Sequence, residues 1–248
     1  MPASPASTVR LRPRPRGLCG ARDADGAALR SRPGPGPRPA LSLLLAGCYG
    51  AYQVTADNPT GAGSLRPTVE DKEAGLVGVA PGFDLKPYRV IAVALFPVTD
   101  PSVKDEGDRR TASSMAAFFQ SELVRRLRES GLFALVVNLT ETPWQPGAQE
   151  ALRLEGTITR LGEGSQAARA MFSIYGAGKA RAQTDMTFRD AQTGQPVMVT
   201  ADRRVAQMGV FGGDSKDHLR ESFDDMARDL AKFLVRLSRG EPPGTILP

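Results

Sequence analysis

The chain has 248 residues and a formal net charge of +5. Residues 1–47 contain eight arginines and two aspartates, so the remainder, with 24 basic and 25 acidic residues, carries a net charge of −1. The basic balance therefore belongs to the leader and gives no support for nucleic-acid binding. No stretch reaches the roughly 18 apolar residues that a membrane-spanning helix needs.

Residues 1–38 consist mainly of proline, arginine, alanine and glycine. Such a segment has too few large apolar side chains to offset its conformational entropy, and we expect it to be disordered. It is also longer than an ordinary positively charged leader, so we expect the true start of translation between Val9 and Pro37. A genuine disordered basic extension is the alternative.

A short apolar run follows this segment and ends at Leu45-Ala46-Gly47-Cys48. Small residues before a cysteine, behind an apolar core with Arg38 upstream, resemble a secretory signal peptide that ends in a bacterial lipobox. The resemblance implies that residues 1–47 are cleaved off and that Cys48 becomes the acylated first residue. The alternative is one turn of a buried helix or strand, but the flanking coil-like segments offer nothing to pack against. The cysteine Cys19 would be removed with the leader, which leaves no disulfide.

Residues 48–87 are rich in proline and glycine and poor in core residues. This composition predicts a flexible tether whose end-to-end distance is about 35 Å. Such a tether would let the folded domain stand clear of the bilayer. Part of the stretch from Leu76 to Phe83 is the exception, since it has enough apolar residues to pack on the domain edge.

The folded part begins with Arg89–Val98, an apolar, β-branched run typical of a strand that is covered on both faces. A helix is predicted over 113–130, starting at Ser113 or Ser114 and ending before Gly131. Phe133–Val137 then supplies a second buried strand, so these elements form a βαβ-like opening. The helix has its apolar positions at Met115, Phe118, Phe119, Leu123 and Leu127.

The second half changes to the two-residue period of strands. Strands are predicted from Ala151, over Ala170–Phe188 and over Pro196–Met208, with the turn Asp190–Gln195 between the last two. A final helix runs from about Ser215 to Arg239, with Asp214 as its N-cap and Gly240 beyond its end. Its apolar stripe is Leu219, Phe223, Met226, Leu230, Phe233, Leu234 and Leu237.

These elements predict one α/β (α+β) domain over 88–240, in which two helices pack on a mixed, mostly antiparallel sheet. A disordered leader and the tether precede it. Residues 241–248 are predicted to form a disordered tail.

Two glycine-containing segments are the candidate interaction or ligand loops. Gly176-Ala177-Gly178-Lys179 is similar to part of a phosphate-binding loop, but Ser173 and Ala180 stand where that loop needs glycine and a hydroxyl residue. The segment 209–214 leads into the last helix, whose first amides could bind an anion, but Asp214 and Asp217 already place negative charge there. The glycines favour a strand bulge and a mobile connection instead. The residues singled out for contact are Tyr175, Gly176, Gly178, Lys179, Phe211, Gly212 and Gly213.

No catalytic or metal chemistry is predicted. The last helix carries five carboxylates and the only histidine, but basic residues interleave with them, which is typical of a solvated face. The chain has no Gly-x-Ser-x-Gly elbow, and no spacing selects a pair of carboxylates for acid–base work. We therefore predict neither a cofactor nor a metal. Trp144, between Pro143 and Pro146, is a candidate for partner contact or for capping a loop. The acidic positions are Asp214, Asp217, Glu221, Asp224 and Asp225, with His218 among them.

The order of four motifs resembles the bacterial lipoprotein family known as domain of unknown function 4410. The motifs are Leu154–Thr159, Tyr175–Ala180, Asp190–Gly194 and Phe211–Asp214, and the resemblance covers roughly 89–238. The family has no assigned activity, so the resemblance implies an envelope location and a fold rather than a chemistry. Lipoprotein sorting rules favour the outer membrane, because Tyr49 and not an aspartate follows Cys48.

Three functions remain open from the sequence. The first is a non-enzymatic envelope lipoprotein, anchored to the membrane through Cys48 and binding a protein of the envelope, by analogy with periplasmic accessory lipoproteins. The second is a periplasmic module that binds a small molecule or a lipid near its glycine loops. The third is a hydrolase with an unrecognised pair of carboxylates.

Overall fold

A computed structural model describes residues 51–162, 179–207 and 215–244, and the side chains of Lys179, Ala180, Gln207 and Ser215 are not described. The eight strands found in these residues belong to one sheet, and the two helices found there pack against the sheet and against each other. The elements are β1 (Ala51–Val54), β2 (Val69–Asp71), β3 (Gly75–Val79), β4 (Val90–Val93), α1 (Glu106–Glu129), β5 (Leu135–Asn138), β6 (Ala151–Gly162), β7 (Lys179–Asp190), β8 (Pro196–Gln207) and α2 (Ser215–Ser238).

The sheet is mixed and mostly antiparallel, which confirms the predicted fold class. Its order is β2-β3-β8-β7-β6-β4-β5, and β1 pairs with β8 off this path. Among the strands of the described residues, β4 alone has parallel neighbours on both sides, β5 on one and β6 on the other. The unit β4-α1-β5 is the predicted βαβ opening, in which a helix crosses between two parallel strands. Among the described residues neither helix has the length and hydropathy needed to cross a membrane.

Helix α1 begins earlier than the predicted start at Ser113 or Ser114. The Asp105 side chain caps it and accepts a hydrogen bond of 2.7 Å from the Asp108 backbone N–H. Glu106 and Asp108 place negative charge in the first turn, where it complements the helix dipole. The first turn is exposed on all sides and therefore shows no apolar periodicity from which a sequence prediction could extend the helix. Its end at Glu129, followed by Gly131 with φ +67°, agrees with the prediction.

The prediction of a flexible tether is wrong for residues 51–79, which supply three strands. β1 and β3 lie end to end along β8, with registers that run from Ala51↔Ala206 to Val79↔Met198. The predicted packing of part of Leu76–Phe83 on the domain is confirmed, because Val77 is fully buried. Strands of three to five residues are too short to show a period, and β1 and β3 pair with a strand far along the chain.

Between β1 and β2 the chain crosses the sheet face opposite α2. The Gln183 side chain exchanges two hydrogen bonds with the backbone of Asp57, at 2.8 and 2.9 Å. The Thr60 N–H donates to Asp185 at 2.7 Å. Thr184, between these two β7 residues, contacts Met226 of α2, so Gln183 and Asp185 point to the other face.

The main core lies between the two helices and the sheet. Phe119 of α1 contacts both Phe96 and Phe223, with ring centroids 5.2 and 5.1 Å apart. The predicted stripe of α2 is confirmed by the burial of its first six members, whereas Leu237 is only partly buried. The helix ends at Ser238, one residue earlier than predicted, and Gly240 follows with φ +85°.

The long hairpin of β7 and β8 is confirmed, with the turn closed by a Gly194 N–H that donates to the Asp190 carbonyl at 2.8 Å. Strand β7 is described from Lys179, so the predicted part before it lies outside the described residues. The prediction of a disordered tail is wrong for residues 241–244. The Gly244 N–H donates to Asp71 at 3.1 Å, because that buried carboxylate needs donors.

Candidate functional site

Most of the residues singled out from the sequence lie outside the described part of the chain. Lys179 is described as the first residue of β7, without its side chain. The remaining positions are located only through the strand ends to which the chain connects them. The undescribed positions are Leu45, Ala46, Gly47, Cys48, Tyr175, Gly176, Gly178, Phe211, Gly212 and Gly213.

Four of those strand ends lie side by side. Ala206 near the end of β8 pairs with Ala51 at the start of β1 and with Ala180 near the start of β7. The neighbouring pair Gly162↔Arg181 places the end of β6 beside them. We call this part of the sheet the anchor end, defined by Ala51, Gly162, Lys179 and Gln207. The lipobox and both candidate loops therefore join the sheet at one end, a juxtaposition that sequence spacing alone does not show.

A row of three residues crosses the anchor end on one sheet face. Val205 of β8 pairs with Tyr52 of β1 and with Arg181 of β7, so the three side chains share a face. It is the face opposite α2, since Arg181 lies two positions from Gln183 on β7 and residues two apart on a strand share a face. Val205 is buried, Arg181 is exposed, and Tyr52 has 41% of its surface exposed. An aromatic ring and a guanidinium thus flank a buried valine at the place where the chain enters the domain.

A buried ion group joins β8 to α2. Arg204 contacts Asp202 at 2.9 Å and Asp229 at 3.2 Å, and all three side chains are largely buried. Burial raises the pKa of the Asp202 carboxyl, and the neighbouring Asp229 carboxylate acts in the same direction. Lys232 contacts Asp229 at 2.8 Å from the solvent side. Because each carboxylate already bonds a cation, this group serves to join two elements and leaves no free acid–base pair.

A second group fastens β2 and β3 to the end of α2. Arg236 contacts Asp71 at 2.7 Å and Glu73 at 2.6 Å. Burial tends to raise the pKa of Asp71, but hydrogen bonds from Arg236 and from the Glu73 and Gly244 backbones outweigh it, and the pKa lies below its usual value. Beside this group is a cavity of about 380 Å³ at the junction of β1 and β3. Its lining includes Gln53, Val54, Thr55, Glu70, Asp71, Lys72 and Leu76.

The acidic face of α2 engages cations of the protein itself. Asp224 contacts Arg126 of α1 at 2.7 Å, and Asp225 contacts Arg228 at 2.6 Å. The expected solvated face is therefore also a contact between the two helices. Within residues 51–162, 179–207 and 215–244, no three His, Cys, Asp or Glu side chains are grouped to hold a metal.

Trp144 is half-buried and covers part of the sheet near the edge strand β5. It packs with Leu139 and Ala191 on a small cluster that includes Val90 and Val137. A shallow cavity of about 370 Å³ lies beside it. Its position is that of a loop cap, one of the two roles predicted for it.

Comparisons with known proteins give one family match and several likenesses to solved structures. A search of curated proteins finds no match. The PelC dodecamer protein of Paraburkholderia phytofirmans is 13% identical over 62% of this chain and 94% of that one, with a TM-score of 0.38. A minor lipoprotein of Acinetobacter baumannii is 14% identical over 63% and 97%, with a TM-score of 0.31. A Xanthomonas campestris protein of family DUF330 is 8% identical over 66% and 92%, with a TM-score of 0.39.

At such identities and TM-scores these likenesses carry no argument about function. The family model is independent of them and begins at Ile91, inside β4. It is described as domain of unknown function (DUF4410) and matches residues 91–209. This match confirms the resemblance to the DUF4410 family that the order of sequence motifs predicted.

Proposed function

We propose that the protein is a non-enzymatic lipoprotein of the bacterial cell envelope, anchored in the outer membrane through acylated Cys48. Its domain faces the periplasm and acts as a protein-interaction or accessory module. The observation that carries the proposal is the position of Leu45-Ala46-Gly47-Cys48 directly before β1. Cleavage before Cys48 would remove the basic leader and keep every described strand and helix on the mature chain.

The arrangement of charged groups supports a role without catalysis. The buried carboxylates of Asp71, Asp202 and Asp229 each bond an arginine of the protein itself. A general acid or base needs a proton that it can exchange with a bound substrate. The family match adds no activity, since the family is itself of unknown function.

Mass spectrometry of the full chain produced in a bacterial host tests the anchor. We expect a mature mass that begins at Cys48 and includes acyl chains, with the protein in the outer-membrane fraction after density separation. Cys48→Ala should abolish both the processing and the stable membrane association, because the acyl chains supply the anchor. Cys19→Ala is the matched control and should behave as the wild type. An unprocessed protein in the soluble fraction would contradict the proposal.

The cavity between β1 and β3 favours a second candidate, a module that binds a small molecule or a lipid. Its volume of about 380 Å³ lies within the range of ligand pockets. A short-chain phosphatidylcholine, used below its micelle concentration, is a suitable probe. Saturable binding with a raised melting temperature, lost in Leu76→Trp, would support this function over the first. No thermal shift would count against it.

A further inference from the structure

We propose that the anchor end is a membrane-contact surface that rests on the phospholipid headgroups of the bilayer holding Cys48. The domain would then be docked on the membrane rather than suspended from it. This inference depends on the proposed acylation of Cys48 and adds an orientation, a distance and a lipid contact to it.

The covalent chain sets the distance. Only Tyr49 and Gly50 separate Cys48 from Ala51, the first residue of β1. Three residue steps span at most about 11 Å even when the chain is fully extended. The acylated residue therefore stays within that distance of the anchor end as long as β1 remains in the sheet.

Several contacts hold β1 in the sheet, so the maximum distance between Cys48 and the anchor end is maintained. Four consecutive residues pair with β8, and Gln53 donates a further hydrogen bond of 3.0 Å to the Asp71 carbonyl. Ala51 packs against the main core. Releasing β1 would uncover Val205 and Ala206, which are buried, and would leave the β8 backbone unpaired. β1 therefore stays paired with β8, and its residues do not lengthen the connection between Cys48 and the domain.

The chemistry of the exposed row suits a headgroup layer. Tyr52 is 41% exposed, and tyrosine is favoured at membrane interfaces, where its ring is apolar and its hydroxyl is hydrated. Arg181 is exposed in the same row, and its guanidinium can bond a lipid phosphate with two parallel N–H donors. Both side chains flank Val205, so they act from one face at the end nearest the acyl chains.

The length of the β7–β8 hairpin provides a reference distance for testing the orientation of the domain on the membrane. Each strand has 12 residues, so its far end lies about 35 Å from the anchor end. Gln195 is an exposed residue of the turn at that far end. A docked domain keeps Tyr52 near the lipid and Gln195 far from it.

Fluorescence quenching on the acylated full-length protein measures this difference. Tyr52→Cys and Gln195→Cys would each be introduced into a Cys19→Ser background and labelled with a small fluorophore, since an acylated Cys48 has no free thiol. The proteins would be placed in vesicles of phosphatidylethanolamine and phosphatidylglycerol that contain spin-labelled headgroups. We expect several-fold stronger quenching at position 52 than at position 195. Equal quenching at the two positions in acylated, folded protein would overturn the inference.

Charge reversal tests the lipid contact in the same vesicles. Arg181→Glu should reduce the quenching at position 52 severalfold, because phosphate attraction becomes repulsion. Arg153→Glu, at an exposed position of β6, is the matched control and should leave it unchanged. Unchanged quenching in Arg181→Glu would exclude the proposed headgroup contact. Intact mass separates the two proposals, because loss of acylation refutes the anchor, whereas acylation with equal quenching refutes only the docking.

Discussion

At the scale of single residues, buried carboxylates connect segments that are far apart along the chain. Asp100 accepts a hydrogen bond of 2.6 Å from the Leu161 N–H and one of 2.8 Å from the Ser102 N–H. Burial tends to raise the pKa of Asp100, but these hydrogen bonds outweigh it and the pKa is lowered. The acid therefore ties the loop after β4 to β6. Asp71 does the same for β2 and the end of α2.

Asp71→Asn should change the dependence of stability on pH. The folded-state pKa of Asp71 lies below its usual value of 3.8, so its contribution is present above that value and is lost as the pH falls through the folded-state pKa. We expect the variant to lose about 1.5–3 kcal/mol at neutral pH, the typical contribution of hydrogen bonds to a charged group. The difference from the wild type should shrink in acid.

Urea unfolding from neutral pH to about pH 3 measures this difference. Glu70→Gln, an exposed position of the same strand, is the control and should show a small difference that varies little with pH. A difference for Asp71→Asn that stayed constant across the range would contradict the assigned role.

Arg204→Met should be among the most damaging single changes. It leaves the buried Asp202 carboxylate without its cation and takes one from Asp229. Breaking a buried ion pair in this way costs about 3–5 kcal/mol. Arg153→Met, which breaks a surface pair, should cost about 0–1 kcal/mol. Equal unfolding free energies for the two variants in chemical denaturation would show that the Arg204 group is not structural.

At the scale of elements, the helices were the most predictable part of the fold. Their apolar positions recur with a helical period over most of each 24-residue helix, and this signal does not need a partner to be recognised. The start of α1 was missed because Asp105 caps an exposed turn. The strands β1 to β3 were missed because they are short, and the partner of β1 and β3, strand β8, lies more than a hundred residues later.

Phe223→Ala tests the contact between the helices and the sheet. The ring is fully buried against Phe119, so its removal should cost about 3–5 kcal/mol of unfolding free energy. Phe118→Ala is the matched control, because Phe118 is next to Phe119 on α1. Its ring is only partly buried and lies under Arg220 at 5.7 Å, so the loss should be smaller. Denaturant titration of both variants checks the order, and a larger loss for Phe118→Ala would contradict the assigned packing.

At the scale of the whole molecule, the segment 51–79 is part of the folded domain and not of a flexible tether. A chain that lacks residues 1–79 should be less stable than one that lacks only residues 1–47. The shorter chain loses the buried Ala74 and Val77 and exposes the edge of β8 over most of its length. Thermal unfolding and size-exclusion chromatography of the two chains compare them. Identical transitions would mean that β1 to β3 contribute nothing to the fold.

The sequence by itself determined the local features: both helix faces, the β7–β8 turn and the class of the sheet. Each depends on composition or on a period that is complete within one segment. Only the tertiary structure decided that β1 and β3 pair with β8, that Asp71 and Asp229 bond arginines of other elements, and that β1, β7 and β8 share the anchor end. These features depend on contacts between distant residues, whose energies appear only when the chain is folded and leave no pattern within any single segment.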